Sequence, residues 1–111
     1  MAISIPNPLG EVKISAEAIE SFIRKEVEKM EEIKEIRSRV MVGKKGVQII
    51  NRVSILGGRN IPEVTDKIQS LIKDSAQNVL GIPEIEEIKV FVREITRPKK
   101  EEPSKEVKTN E

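Results

Sequence analysis

Four groups of residues in this chain have types and spacing that could do chemistry. Gly43-Lys44-Lys45-Gly46 sets two lysines between glycines, so that a turn backbone could wrap a phosphate while ammonium groups meet its charge. Gly57-Gly58-Arg59 stands just ahead of a helix start, where free amides and the helix dipole favour an anion. Glu84, Glu86 and Glu87 offer oxygen donors of the kind a hard cation takes. Lys13, Arg37, Arg39, Arg52, Lys89 and Arg93 fall at alternate positions of extended segments, which gathers them on one side of a sheet beside Met41, Ile50, Leu56 and Phe91. Plainer readings are preferred for the first three. The lysine loop suits a hairpin turn that needs glycine geometry, and the second is a strand-to-helix turn whose amides Asn60 takes for itself. The glutamates alternate around a turn without converging, as solvated charge does. The basic face with apolar islands is the sharper candidate.

The residue types that are missing narrow the chemistry further. The 111 residues include no cysteine, histidine, tryptophan or tyrosine. That excludes disulfides, thiolate nucleophiles, cysteine- or histidine-ligated metal and a histidine base working near neutral pH. The expectation is a non-enzymatic chain without cofactor or metal. Lysine and arginine total 20 against 19 acidic residues, so any electrostatic function must come from arrangement, since the net charge is only +1. No run approaches the ~20 apolar residues of a membrane span, and MAISIPNPLG lacks the layout of a signal peptide. A soluble, cytoplasmic domain is expected.

The elements that would position these residues can be read from punctuation and period. Asn60 is placed as an N-cap with Glu63 three residues on, and Pro62 falls in the first turn. Ile61, Val64, Ile68, Leu71, Ile72, Ser75/Ala76 and Val79 then make one apolar stripe up to a glycine stop at Gly81. An earlier helix starts at Ser15 and carries Ile19, Phe22, Ile23, Val27 and Met30 on one side. Between them, Ile36, Val40 and Val42 alternate with Arg37, Arg39 and Met41, then Val47, Ile49, Val53 and Ile55 follow after the Gly43–Gly46 turn. Ser38 and Asn51 are polar exceptions on the inner side, and a bulge near Ile50 and Asn51 is the expected repair for the second. Short strands at Glu11–Ile14 and across Ile88, Val90 and Val92 complete the order strand, helix, strand, strand, helix, strand. Residues 1–10 read as a flexible arm, 11–96 as a single domain, and 97–111 as a disordered charged tail. The economical fold is α+β: a βαββαβ two-layer sandwich with a four-stranded sheet and both helices on one face, the ferredoxin-like split βαβ.

Taken in order, three stretches resemble the alkaline-shock-protein family of the cell-envelope stress response, most closely the soluble domain of its membrane-anchor branch, AmaP. The family's Gly–x–Val–x–Ile–Ser matches Gly10, Val12, Ile14 and Ser15; its Asn–Ile–Pro–Glu helix start matches Asn60 to Glu63; its glycine with closing alternation matches Gly81, Ile88, Val90 and Val92. Glu32 departs from it, standing where relatives carry glycine, and so does Asn51, standing where they are apolar. The resemblance implies a protein–protein interaction domain that self-associates or recruits another alkaline-shock member. It would reach the inner face of the membrane through a partner or an anchor ahead of this stretch. Nucleic acid is the alternative. The Gly43–Gly46 loop resembles the G–x–x–G loop of KH domains, but that loop needs helical flanks, and Arg52 stands where the KH pattern is apolar. RNA-recognition domains share the strand order expected here and read from such a basic face, yet Phe91 is the one aromatic on it.

Overall fold

The structure, a computed structural model, describes residues 1–96, so the tail expected over 97–111 lies outside the described residues. The chain opens with an antiparallel hairpin of β1 (Ala2–Asn7) and β2 (Gly10–Ser15), which leads directly into α1 (Ala16–Val27). Ser15 caps this helix by accepting from Ala18 N at 3.0 Å. Then come β3 (Ile33–Gly43), β4 (Gly46–Leu56), α2 (Ile61–Asp74), a single π-helical turn over Ser75–Val79, and β5 (Ile85–Thr96). The second cap is as expected, with Asn60 Oδ1 accepting from Glu63 N at 3.1 Å and proline in the first turn.

The α+β class is the expected one, a ferredoxin-like two-layer arrangement with sheet and helices sharing one core. Its sheet differs in strand count. β3, β4 and β5 form a three-stranded sheet in that order, β3 antiparallel and β5 parallel to β4. Because the crossover through α2 returns β5 directly beside β4, no slot remains there for a strand from the N-terminal region. The expected strand at Glu11–Ile14 pairs instead with β1, and so the segment read as a flexible arm is a strand. Ile3 is what draws it in: this side chain is 5% exposed and belongs to the main apolar cluster. The peptide N–H of Ala16 also donates to Met1 O at 2.9 Å, fastening the chain start to the head of α1.

The core is one cluster of branched aliphatic side chains. Ile19, Ile23 and Val27 from α1 and Val64, Ile68 and Ile72 from α2 pack over Ile36, Val40, Ile49, Val53 and Ile55 of the sheet. The helical stripe breaks at Val79, which is 63% exposed although the period puts it inward. The π turn accounts for this. Its wider i→i+5 closure, seen where Leu80 N meets Ser75 O, rotates later positions, and Leu80 and Ile82 take over the inward place.

The two polar exceptions resolve each other. No bulge forms near Ile50 and Asn51; the register runs unbroken through that stretch and sets Ser38 opposite Asn51. Ser38 Oγ donates to Asn51 Oδ1 at 2.7 Å, and Asn51 Nδ2 reaches the Lys89 carbonyl of β5 at 3.0 Å. A fully buried amide is thereby satisfied across all three strands.

Candidate functional site

Strand alternation sends every second side chain away from the helices, and the register fixes which of them become neighbours. Arg37, Arg52 and Phe91 form one row across the sheet, and Arg39, Ile50 and Lys89 form the next. A third row, Met41, Gln48 and Glu87, leads toward the hairpin end. The Arg52 guanidinium lies over the Phe91 ring, 5.8 Å from its centre, while Phe91 and Met41 stay 56% and 43% exposed. Arg93 follows Phe91 along β5 and turns toward Glu35, 3.7 Å away, which also meets Arg37 at 3.9 Å. Leu56 closes the far end of β4, paired with Thr96.

Of the ten residues expected on this face, Lys13 alone is placed elsewhere. Its strand is β2, and in that hairpin it sits 3.9 Å from Glu11. Val12, on the same strand, is 43% exposed. Val42, expected inward, is 58% exposed at the end of β3 beside the Gly43 turn, although its partner Val47 is buried.

The other candidate groups serve the fold. Gly43–Gly46 is a hairpin turn with strands on both sides, which removes the helical flanks that a nucleotide-clamping loop requires. Glu86 fastens that turn: Lys45 N donates to one carboxylate oxygen at 3.3 Å and Gln48 Nε2 to the other at 3.2 Å. Val47 N meanwhile donates to Glu84 O at 3.0 Å. The acidic group near Glu86 is therefore bracing for a turn, and among the described residues no cluster of three or more acidic groups could hold a metal. At Gly57-Gly58-Arg59, Asn60 occupies the Glu63 amide, Pro62 has none to offer, and Arg59 points to Glu31 at 3.9 Å.

Two residues that periodicity hid complete the surface. A three-stranded sheet has two free edges, and each helix sends one side chain to one of them. Glu20 of α1 accepts from Val40 N on the β3 edge at 2.8 Å. Gln69 of α2 donates to Ile88 O on the β5 edge at 3.0 Å. In sequence both lie off the apolar stripes of their helices, and only the packing of helix beside strand gives them a target.

A third contact ties the residue just ahead of β3 to α2. Lys67 Nζ donates to Glu32 at 2.7 Å, and this bond holds the Glu32 carboxyl below its ordinary range and raises Lys67 above its own. It is a structural pair at the sheet's end, away from the arginine rows.

No protein-family model matches the chain, and no curated protein does. Among solved structures, a MamM CTD carrying three substitutions matches with a TM-score of 0.54 at 12% identity, covering 70% of this chain and 93% of that one. A MamM CTD with a single cysteine-to-serine substitution matches at 0.51 and 11%, covering 70% and 94%. At such identity the likeness is one of fold. Among the described residues no helix is long and apolar enough to cross a membrane.

Proposed function

We propose that this domain is a non-enzymatic protein-interaction module whose working surface is the outer face of its sheet. One observation carries this reading. Arg37, Arg39, Arg52 and Lys89 surround Ile50, Met41 and Phe91 on a sheet face that no element covers among the described residues. Exposed apolar side chains among desolvatable arginines are the composition of protein contact surfaces. The sequence has no histidine or cysteine, and among the described residues no three acidic side chains gather as a metal site would need, so the reading rests on the face and not on a reaction centre.

The alkaline-shock type of stress response is the setting we propose, on the strength of the motifs at Gly10–Ser15, Asn60–Glu63 and Gly81–Val92. These positions are a strand with its helix cap, a second cap, and a left-handed glycine at φ 76° followed by the final strand. Self-association or recruitment of another such domain is the corresponding partner proposal. The test is sedimentation velocity on the wild type and on a variant carrying Arg39→Asp, Arg52→Asp and Phe91→Ala. Loss of association in the variant supports the face; an unchanged distribution from an associating wild type removes it.

The same arginines carry a second reading, binding of single-stranded nucleic acid. It predicts affinity for pooled single-stranded RNA that falls steeply with salt, because each neutralised phosphate releases counterions. Phe91 is the one aromatic on the face and already lies beneath Arg52, which leaves little stacking surface and puts this reading second.

A further inference from the structure

Between the solvent side of α1 and the free edge of β3 runs an open groove of about 700 Å³. Its walls differ in charge. Arg37, Arg39 and Arg52 line the sheet side, Glu17 and Glu20 line the helix side, and Arg24 stands further along the helix. Among the described residues Arg37 is the one arginine of these four with a carboxylate in reach, Glu35 at 3.9 Å, so Arg24, Arg39 and Arg52 keep their donors for a ligand.

The floor of the groove is a strand edge. Val40 directs its N–H away from β4, since that N–H is bound by Glu20. The register is continuous from Ile36 to Val42, so Ser38 and Val42 direct their own N–H and C=O groups the same way, to a side where no strand lies among the described residues. A strand edge of this kind is a template for another extended chain.

We propose that this groove takes an extended acidic peptide from a partner protein as a fourth strand beside β3. The proposal rests on the interaction reading above and names the chemistry of its partner. Side chains of an extended peptide alternate between two directions. A peptide with acidic residues in one direction and neutral ones in the other therefore sets carboxylates against the arginine wall and keeps them off the glutamate wall. A nucleic-acid backbone carries one sign of charge throughout and meets Glu17 and Glu20 as readily as the arginines. A second copy adding its own β3 edge here would set arginines beside arginines, which charge opposes, so the occupant of the groove is a different chain even where the Phe91 face self-associates. Glu20 is the occupant to be displaced: its carboxylate holds the Val40 N–H that a peptide carbonyl would take.

The experiment uses a fluorescein-labelled, end-capped octapeptide alternating Asp and Thr. A peptide of the same composition with its Asp residues in one block is the control, and anisotropy is read on the full chain. The alternating peptide is expected to bind at least about 10-fold more tightly than the block peptide, and Arg39→Ala with Arg52→Ala to weaken it by a similar factor. Glu20→Ala is expected to tighten binding more than Glu17→Ala, which removes the same charge without freeing Val40. Hydrogen exchange at Ser38 and Val42 should slow when the peptide is bound.

Equal binding of the two peptides, no binding at ~1 mM, or exchange unchanged at Ser38 and Val42 would overturn strand addition. Oligouridine that binds more tightly than the alternating peptide, with the same arginine dependence, would also overturn it and leave nucleic acid in its place. A chain that self-associates through the Phe91 face yet ignores the peptide keeps the interaction reading and loses this one.

Discussion

Among the described residues there are two antiparallel hairpins, and they are held in opposite ways. β3–β4 has strands of eleven residues, buried side chains along its length, a third strand beside it and a turn braced by Glu86. β1–β2 has strands of six residues, and its tip residue Leu9 is 98% exposed. Within the second hairpin the polar contacts stay local: Ser4 Oγ meets Glu11 at 2.6 Å and Leu9 N meets Asn7 Oδ1 at 2.9 Å. A two-stranded hairpin is marginal in water by itself. The difference teaches that pairing alone does not make a hairpin part of a fold; covered side chains do, and β1–β2 has one fully covered, Ile3, with Ile5 and Ile14 half-covered.

The most severe way to test that contrast is to remove an equal kind of side chain from each hairpin. Ile49→Ala, at the centre of β4 with no exposed surface, is expected to cost about 4 kcal/mol in denaturant unfolding through lost burial and a cavity. Val12→Ala on β2 should stay within about 0.5 kcal/mol. A comparable loss at both would mean the hairpins are equally integrated.

The turns offer the next comparison. Gly46 and Gly10 hold φ of 140° and 144°, so alanine strains either backbone. A Cβ on Gly46 would also lie 2.8 Å from Glu84 O, whereas one on Gly10 meets nothing within 4 Å. Gly46→Ala should then cost about 2–3 kcal/mol and Gly10→Ala about 1 kcal/mol in thermal or chemical unfolding.

Ile3→Ala sharpens the contrast from the other side. It should lower global stability by about 2 kcal/mol, while hydrogen exchange quickens across β1 and β2 and stays slow in β4. Uniform quickening would show that the N-terminal hairpin opens only with the whole domain.

The smallest expected effect concerns the tether that one hairpin has and the other lacks. Lys67 holds the Glu32 carboxyl below its ordinary 4.5, so the ionised pair favours the folded state above that value and is lost as pH falls through the lowered pKa. Lys67, raised above its ordinary 10.5, contributes below that value and loses its contribution as pH rises through the raised pKa. Glu32→Gln should therefore be less stable than wild type between those limits and converge with it in strong acid. A constant offset down to strong acid would assign the loss to packing instead of charge.

How far the sequence anticipates this follows from the same contrast. The β3–β4 hairpin and α2 are legible because their signals are local: alternating Val and Ile, glycines at a turn, Asn60 and Pro62 at a helix start. β1 was hidden because Pro6 and Pro8 read as loop. A proline is nevertheless tolerated in a two-stranded ribbon, where each strand has a free side. The outer face was legible from alternation, but the register that sets Arg52 beside Phe91 was not, because alternation does not fix how strands align. Lys13 was misplaced since alternation fixes which side of a strand a residue takes and leaves open which sheet the strand joins. Glu20 and Gln69 could not be picked out, as their targets lie at strand edges far along the chain.

The Ser38–Asn51–Lys89 contact has a consequence for how this sequence can change. Replacing Asn51 with leucine alone strands the Ser38 hydroxyl and a Lys89 carbonyl; replacing Ser38 alone leaves the buried amide oxygen of Asn51 without its donor. Either single step is unfavourable, while replacing both by aliphatic residues removes the hydroxyl and the amide together and leaves the Lys89 carbonyl as the one group without its partner. The two sites, thirteen residues apart, are thus bound into one heritable unit. Drift at one is blocked until the other moves, and a double-mutant cycle would read that dependence as a coupling of about 1–2 kcal/mol.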